Sequence, residues 1–486
     1  MNQKVTALLI ALGLVIGAGG MYAGLELSHA EASSEEEAIP TLGSMPHEEE
    51  QAAEIEGFDK FQQALELIST KYVEDVDEEK LLEGAIQGML STLDDPYSVY
   101  MDKETAQQFS QSLDSSFEGI GAEVGMQSGK VTIVSPFKGS PAEKAGLRPN
   151  DQIVSIDGDN VEGLGLNETV LKIRGKKGTK VAIEVIRPNS KEKLSFDVVR
   201  DEIPLETVFA STKEQDGKKV GYIQITTFSE NTAKDFQKSL TKLEEEQIKG
   251  LVLDVRGNPG GYLQSVEEIL KQFVTKDHPY IQIEERNGDK KRYFSKLSKK
   301  KEYPITVLID KGSASASEIL AGALKEASDY ELVGETSFGK GTVQQAVPMG
   351  DGSNIKLTLY KWLTPEGNWI HKKGVEPTMK VEQPPIFQLS PLQVEKSLVL
   401  DMNNEQVKTA QLVLKGLGFE PGREDGYFSE ETETAVKAFQ QINELPLSGK
   451  IDLQTADTMN TKIGELRAKD ENDLQLKMAM KALFIK

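Results

Sequence analysis

Three short stretches carry side chains able to do chemistry: Arg256-Gly257-Asn258-Pro259-Gly260-Gly261, Lys311-Gly312-Ser313-Ala314-Ser315-Ala316-Ser317-Glu318 and Phe338-Gly339-Lys340-Gly341-Thr342-Val343-Gln344. The chemistry open to them is narrow. The sequence has no Cys and only 4 His, so a thiol nucleophile, a thiolate metal site and a disulfide are excluded, and imidazole chemistry nearly so. No H-E-x-x-H occurs, and neither a metal nor another cofactor is expected. Ser, Thr, Lys and carboxylates remain.

The middle stretch reads as a strand-to-helix turn, where the unpaired N–H groups of a helix N-terminus could stabilise a developing oxyanion. A Ser in such a place is more often an N-cap. Nothing in the spacing chooses among Ser313, Ser315 and Ser317. The third stretch first suggests a phosphate loop, since Gly334-Glu335-Thr336-Ser337-Phe338-Gly339-Lys340 fits G-x-x-x-x-G-K. Gly341, however, stands where that motif needs a Ser or Thr hydroxyl for Mg²⁺. Lys340 therefore needs another role. Without a usable His, a Ser can be activated by a Lys whose ammonium is desolvated and loses its proton. Lowering a lysine from about 10.4 to about 7 costs roughly 4.6 kcal/mol, a shift that buried lysines reach.

These loops need strands and helices to aim them. Residues 219–381 alternate the two: strand 220–225, helix 231–245, an almost wholly apolar strand 250–255, helix 263–273, strands 280–283 and 305–309, and helix 316–327. The pattern is an α/β layer with the three stretches at strand ends, where the active sites of open sheets concentrate. Residues 116–201 read as a small β-rich module, with strands at 131–134, 152–156 and 181–186 punctuated by Gly139, Gly146, Gly158 and Gly178. Before it, Phe61, Leu65, Ile68 and Tyr72, then Leu81, Leu82, Ala85, Met89 and Leu90, recur at helical spacing. Such a pair packs against its own chain or forms a dimerisation arm.

Two resemblances organise these readings. Phe117-Glu118-Gly119-Ile120-Gly121-Ala122, Ser140-Pro141-Ala142-Glu143-Lys144-Ala145-Gly146-Leu147 and Asp151-Gln152-Ile153-Val154-Ser155-Ile156-Asp157-Gly158 together resemble a PDZ domain. The resemblance implies a peptide groove in which N–H groups near Gly119, Ile120 and Gly121 take a terminal carboxylate, beside a side-chain pocket at the helix around Val170. Arg174, after that helix, is a candidate link between an occupied groove and the active site. The three chemistry-bearing stretches, preceded by Tyr72-Val73 and Leu93-Asp94-Asp95-Pro96-Tyr97-Ser98, are similar to those of the carboxyl-terminal processing (tail-specific) serine proteases. That resemblance implies Ser315 as nucleophile, Lys340 as general base, Gln344 as the residue orienting Lys340, and an oxyanion hole from the backbone N–H groups of Gly261 and Ala316. It also implies a crotonase-like core.

Residues 405–468 resemble the small three-helix peptidoglycan-binding domain through Gln411, Leu414, Gly418, Asp425-Gly426, Ala435, Phe439-Gln440, Leu445, Gly449, Asp452 and Thr455, with Ser429 where Gly is common. At the other end, Val5 to Gly24 is free of charge and follows Lys4. It can span a bilayer as a helix, and Ser28-His29-Ala30 offers a cleavage site, so a removed signal peptide and a retained anchor both fit.

The expected fold class is multidomain α+β. Its parts are a signal peptide or anchor (1–30), an acidic linker (31–51), an N-terminal helical arm (52–115) and a PDZ-like β-rich module (116–201). A crotonase-like α/β protease core (202–382), a linker (383–403), a small three-helix C-terminal domain (404–468) and a helical tail (469–486) follow. The function expected is that of an exported envelope serine endopeptidase. Its partners would be proteins with free, apolar C-termini, peptidoglycan, the membrane through residues 5–24 if these stay uncleaved, and a second copy of the chain through the arm. Cleavage is expected to survive removal of everything beyond about Gln388. The rival is a non-catalytic PDZ scaffold tethered to the cell wall, and a Ser-His-Asp hydrolase using His278 or His371 is a third reading. With 56 Lys and Arg against 78 Asp and Glu, a net charge of −22, no nucleic-acid partner is expected.

Overall fold

The computed structural model describes residues 57–485 apart from 114–115, 128, 188–191 and 395. The expected signal or anchor and the acidic linker lie outside these residues. Among the described residues no helix is long and apolar enough to cross a membrane.

The arm consists of α1 (Phe58–Lys71), α2 (Glu78–Ser91), the short strand β1 (Val99–Met101) and α3 (Lys103–Leu113). Asp77 caps α2 by accepting from the N–H groups of Glu79 and Lys80. Neither α1 nor α2 buries a residue, so the apolar stripe of Phe61, Ile68 and Tyr72 stays open.

The β-rich module comprises β2 (Ser116–Gly119), β3 (Ala122–Gln127), β4 (Lys130–Pro136), α4 (Pro141–Ala145), β5 (Gln152–Ile156), β6 (Asp159–Asn160), α5 (Leu166–Ile173), β7 (Lys180–Ile186), β8 (Lys193–Val199) and β9 (Asp201–Pro204). Its sheet runs β3-β4-β5-β7-β8, with β6 beside β5, while β2 pairs with β9 to close the module at its base. Ile133, Val181, Ile183 and Val185 alternate inward and fill its core.

The α/β region opens with β10 (Val208–Gln215), β11 (Lys218–Ile225), α6 (Thr232–Glu245), β12 (Gly250–Asp254) and α7 (Leu263–Leu270). It continues through β13 (Pro279–Glu284), β14 (Lys290–Phe294), β15 (Ile305–Ile309), α8 (Ala316–Glu326), β16 (Glu331–Gly334), β17 (Thr342–Pro348), β18 (Asn354–Leu363) and β19 (Met379–Lys380). One sheet has the order β10-β11-β12-β15-β16-β19 and is parallel from β11 onward. Every residue of β12 and β15 is buried, which is why both read as nearly continuous apolar runs. The strand expected at 280–283 does not join this sheet. It belongs to a second one, in the order β1-β18-β13-β14 with β17 on β18. An apolar run of that length fits either sheet, and only the β13–β14 hairpin and the pairing with β18 decide. The arm enters this sheet through Val99 opposite Lys356.

Three helices, α9 (Glu405–Gly416), α10 (Glu430–Ile442) and α11 (Leu453–Arg467), enclose a core of Val407, Leu414, Val436, Phe439 and Met459. The tail then returns. Its helix α12 (Leu474–Ala482) lays Leu476, Ala479, Met480 and Leu483 against Val220, Val252, Leu308 and Val333 of the parallel sheet. A Cβ on Gly250 would lie 2.9 Å from Leu483. The α/β core therefore draws on a helix from beyond the three-helix domain.

Candidate active site

Strands β12, β15 and β16 are consecutive in the parallel sheet, so the loops leaving their C-terminal ends are neighbours. Asn258 joins two of them. Its carbonyl accepts from the N–H of Ala314 (3.0 Å) and the hydroxyl of Ser317 (2.9 Å), and its side chain bridges Gly260 N–H and the carbonyl of Ile225. Gly260 then passes so close to the helix start that a Cβ there would meet Ser315 Cβ and Ala314 O at 2.9 Å. Only glycine fits beside the first turn of α8, and the next residue, Gly261, is pressed against the backbone of Phe228.

The structure separates the three serines that spacing could not. Ser313 is buried and donates to the carbonyl of Val255 at 2.8 Å. Ser317 is buried and committed to Asn258. Ser315 is partly exposed, with φ 54° and ψ −112°, a backbone state costing a non-glycine residue roughly 1–3 kcal/mol. The strain is held by Glu318, which is wholly buried. Its Oε2 accepts from Ser315 N–H (2.8 Å) and Lys340 N–H (2.8 Å), and its Oε1 from Gly339 N–H (2.6 Å) and the Ser337 hydroxyl (2.6 Å). One carboxylate thus staples the Ser315 turn to the Lys340 loop.

The Lys340 loop runs from β16 into a strand, β17, not into a helix, so a phosphate loop's strand-loop-helix context is absent. Gly341 has a steric reason instead: a Cβ there would lie 2.8 Å from the backbone N of His371 and 2.9 Å from the Trp369 indole nitrogen. The indole N–H groups of Trp362 and Trp369 donate to the carbonyls of Lys340 and Gly341, each at 2.8 Å. Burial, helped by the charge of Lys356, holds the Lys340 ammonium below the ordinary lysine range, while Asp95 and Glu318 pull the other way. Its Nζ lies 4.9 Å from the centre of the Tyr97 ring. Gln344 donates to the hydroxyls of Thr342 (2.9 Å) and Thr358 (3.1 Å), and not to Lys340. Of the two histidines offered for a Ser-His-Asp reading, His278 is exposed on a loop, whereas His371 is half-buried near Tyr97 with no hydrogen-bond partner for its Nδ1.

With this geometry in hand, sequence comparison is decisive. The chain is 64% identical over 485 residues, spanning 100% of both chains, to the carboxy-terminal processing protease CtpB of Bacillus subtilis (strain 168). The chain belongs to the carboxy-terminal processing protease family. It is also 43% identical over 427 residues, 88% of this chain and 90% of the relative, to CtpA of the same organism. Family models match in order: the activating protease CtpB N-terminal domain at 14–105, a PDZ domain at 119–198, peptidase family S41 at 219–381 and a peptidoglycan-binding domain at 403–459. Among solved structures, the photosystem II D1 C-terminal processing protease is 28% identical, covering 68% of this chain and 94% of that one at a TM-score of 0.41.

In this carboxy-terminal processing protease the PDZ domain places Gly119, Ile120 and Gly121 at the entry to β3, with α5 and the half-buried Val170 alongside. Gly121 has φ 72°, and a Cβ would meet Ser140 Cβ at 2.6 Å. Arg174 caps α5 and lies over the ring of Phe117, 5.2 Å from its centre. A second arginine, given no role from sequence, does more there: buried Arg200 donates to the carbonyls of Ile173 (2.8 Å), Lys180 (3.0 Å) and Lys172 (3.2 Å). In the peptidoglycan-binding domain, Gln411 and Gln440 are buried staples. Gln411 spans Gly426 N–H and Tyr427 O, and Gln440 spans Gly449 N–H and Lys450 O.

Sequence reading quoted Arg256 within the first stretch without giving it a role; it follows β12 at the start of the Gly260-Gly261 loop. Its guanidinium meets Asp254 (2.6 Å), Asp473 (2.8 Å) and Gln475 (3.0 Å). Burial opposes that charge, but the two carboxylates outweigh it and raise the Arg256 pKa. No local signal pairs Arg256 with a residue of the tail.

Proposed function

We propose that the chain is an exported endopeptidase of the cell envelope that captures protein C-termini in its PDZ groove and cleaves by a Ser-Lys acyl-enzyme mechanism. The observation that carries the reading is the Glu318 carboxylate, which fixes the backbones of Ser315 and Lys340 to one acceptor atom. Ser315 Oγ attacks the scissile carbonyl carbon while Lys340 Nζ takes its proton. The N–H groups of Gly261 and Ala316 receive the oxyanion. As the intermediate collapses the C–N bond breaks, the leaving amine takes the proton from Lys340, and water then hydrolyses the acyl-Ser315 ester by the same base. With its amide nitrogen held by Thr342 and Thr358, Gln344 has Oε1 left to accept from Lys340.

Around this centre, Gly119 to Gly121 take the substrate carboxylate, the pocket at Val170 takes an apolar terminal side chain, and Arg174 relays groove occupancy. The three-helix domain holds peptidoglycan, residues 5–24 direct export or anchoring, and the open stripe of α1 and α2 receives a second copy of the chain. The parallel strands β11, β12, β15 and β16 with their connecting helices support the crotonase-like reading of the core. The test is turnover of a peptide with a free apolar C-terminus by wild type, Ser315→Ala and Lys340→Ala. Both variants are expected to be inactive and folded; near-normal turnover by Lys340→Ala would overturn the dyad and direct attention to His371.

A further inference from the structure

The pocket of the proposed base is not built by the protease core alone. The turn between α2 and β1 carries Tyr97, whose ring face lies under the Lys340 ammonium, 4.9 Å from Nζ to its centre. That turn is held independently of Lys340. Asp95 accepts from the Ser98 hydroxyl (2.6 Å) and from Tyr97 N–H (3.0 Å), Ser98 Oγ in turn accepts from Thr358 N–H (3.0 Å), and β1 pairs with β18. Behind the ring, His371 meets Tyr97 edge to face at 6.4 Å, and Trp369 stacks on His371 at 5.1 Å. Thr358 is also an acceptor for Gln344 (3.1 Å), so one β18 residue touches both the arm and the residue proposed to orient Lys340.

We propose that Tyr97 is a positioning residue that seats the Lys340 ammonium, so that the helical arm completes the base pocket. The proposal rests on the reading of Lys340 as general base. An aromatic face attracts the cation and not the neutral amine. Once Lys340 takes the proton of Ser315 the ring gives the charge a place, and once the proton passes to the leaving amine the neutral side chain is free to return. The other charged groups facing this pocket are Asp95 from the same turn, Glu318 from α8, Lys356 from β18, and His371 with its neighbour Lys372 from the loop before β19. None of these groups is itself replaced when Tyr97 alone is changed.

The test is the pH dependence of kcat/KM of the full chain, measured for wild type, Tyr97→Phe, Tyr97→Leu and a protein with pentafluorophenylalanine at 97. Phe keeps the ring face and should leave the acid limb within about 0.2 pH unit, whereas Leu and the electron-poor ring should move it down by about 0.5 to 1 unit. A limb that stays put in both would overturn the proposal, since simple packing would alter rate or stability without moving it. Should Tyr97→Leu fail to fold, the fluorinated ring, close in shape to Phe, still decides. Failure of the base reading looks different: Lys340→Ala would retain turnover whatever residue stands at 97.

Discussion

Ser315 and Lys340 donate their backbone N–H groups to the same atom, Oε2 of Glu318, each at 2.8 Å. Replacing that carboxylate leaves up to four donors unanswered in a buried site, at about 1–3 kcal/mol for each that finds no water. Glu318→Ala should therefore lose roughly 3–5 kcal/mol of stability, and turnover should fall by about a hundredfold or more because the proposed nucleophile and base lose their common reference. Glu318→Gln should fall between, since one amide end presents hydrogens to donors. Thermal denaturation and steady-state rates on the same samples check both.

On the proposed mechanism activity should rise with pH, because the neutral form of Lys340 would be the base and its burial brings deprotonation below the ordinary lysine range. Lys356 contributes to that lowering. Lys356→Gln should therefore move the acid limb of the rate profile upward, opposite to the shift expected for Tyr97→Leu. A limb that moved down, or not at all, would show that the charge at 356 is not felt at Lys340.

Peptides with a free C-terminus should be cleaved better than the same peptides amidated. Charge-assisted bonds contribute about 1.5–3 kcal/mol each, so losing one weakens capture by about tenfold or more. Competition between the two forms checks it, and equal cleavage by the intact enzyme would remove tail recognition.

The tail changes what truncation should do. Cutting after Gln388 was expected to spare cleavage, but it would strip Leu476, Ala479, Met480 and Leu483 from the parallel sheet and two partners from Arg256. At about 1.5–3 kcal/mol for each large buried side chain, the loss rivals a domain's whole stability. That truncated chain should be insoluble or inactive. Removing 390–466 and joining the ends should instead keep cleavage and abolish binding to purified cell wall, because Arg467 already donates to the carbonyl of Leu389 at 2.7 Å and so marks the two ends as neighbours.

Asp473 should make the tail acid-sensitive. Burial alone would raise its pKa, but the bonds from Arg256 outweigh it and hold the carboxyl below the ordinary range. A depressed folded-state pKa adds stability above the unfolded value of about 3.9 and loses it as pH falls through the folded value. The difference in melting temperature between wild type and Asp473→Asn should thus be largest near neutrality and shrink in acid.

Strands β12 and β15, helices α6 and α8, the three loops and the three-helix domain were legible because each is encoded by local period or turn residues. Spacing left Ser313, Ser315 and Ser317 open and only the family resemblance pointed to Ser315; the backbone angles of Ser315 and the bonds that bury Ser313 and Ser317 are tertiary features that no spacing reveals. The segment at β17 read as loop because Thr342, Val343 and Gln344 lie in a glycine-rich stretch, and its strand character comes from pairing with β18. Tyr97 was quoted only as part of a family signature. Its place on Lys340 depends on the β1–β18 pairing, a contact between distant parts of the chain. The tail read as a helix, which does not say which of its faces is covered or by what.

The chain leaves the parallel sheet at β19 and returns to it at α12, and both ends meet at one place: Gln383 donates to Asp473 at 2.6 Å, and Gln475 to the carbonyl of Val381 at 2.8 Å. In mechanical terms the three-helix domain is a double-ended tether. A pull on it would be shared by two attachments and would reach Arg256, at the root of the loop carrying Gly261, so load on the three-helix domain would be borne beside the proposed oxyanion hole.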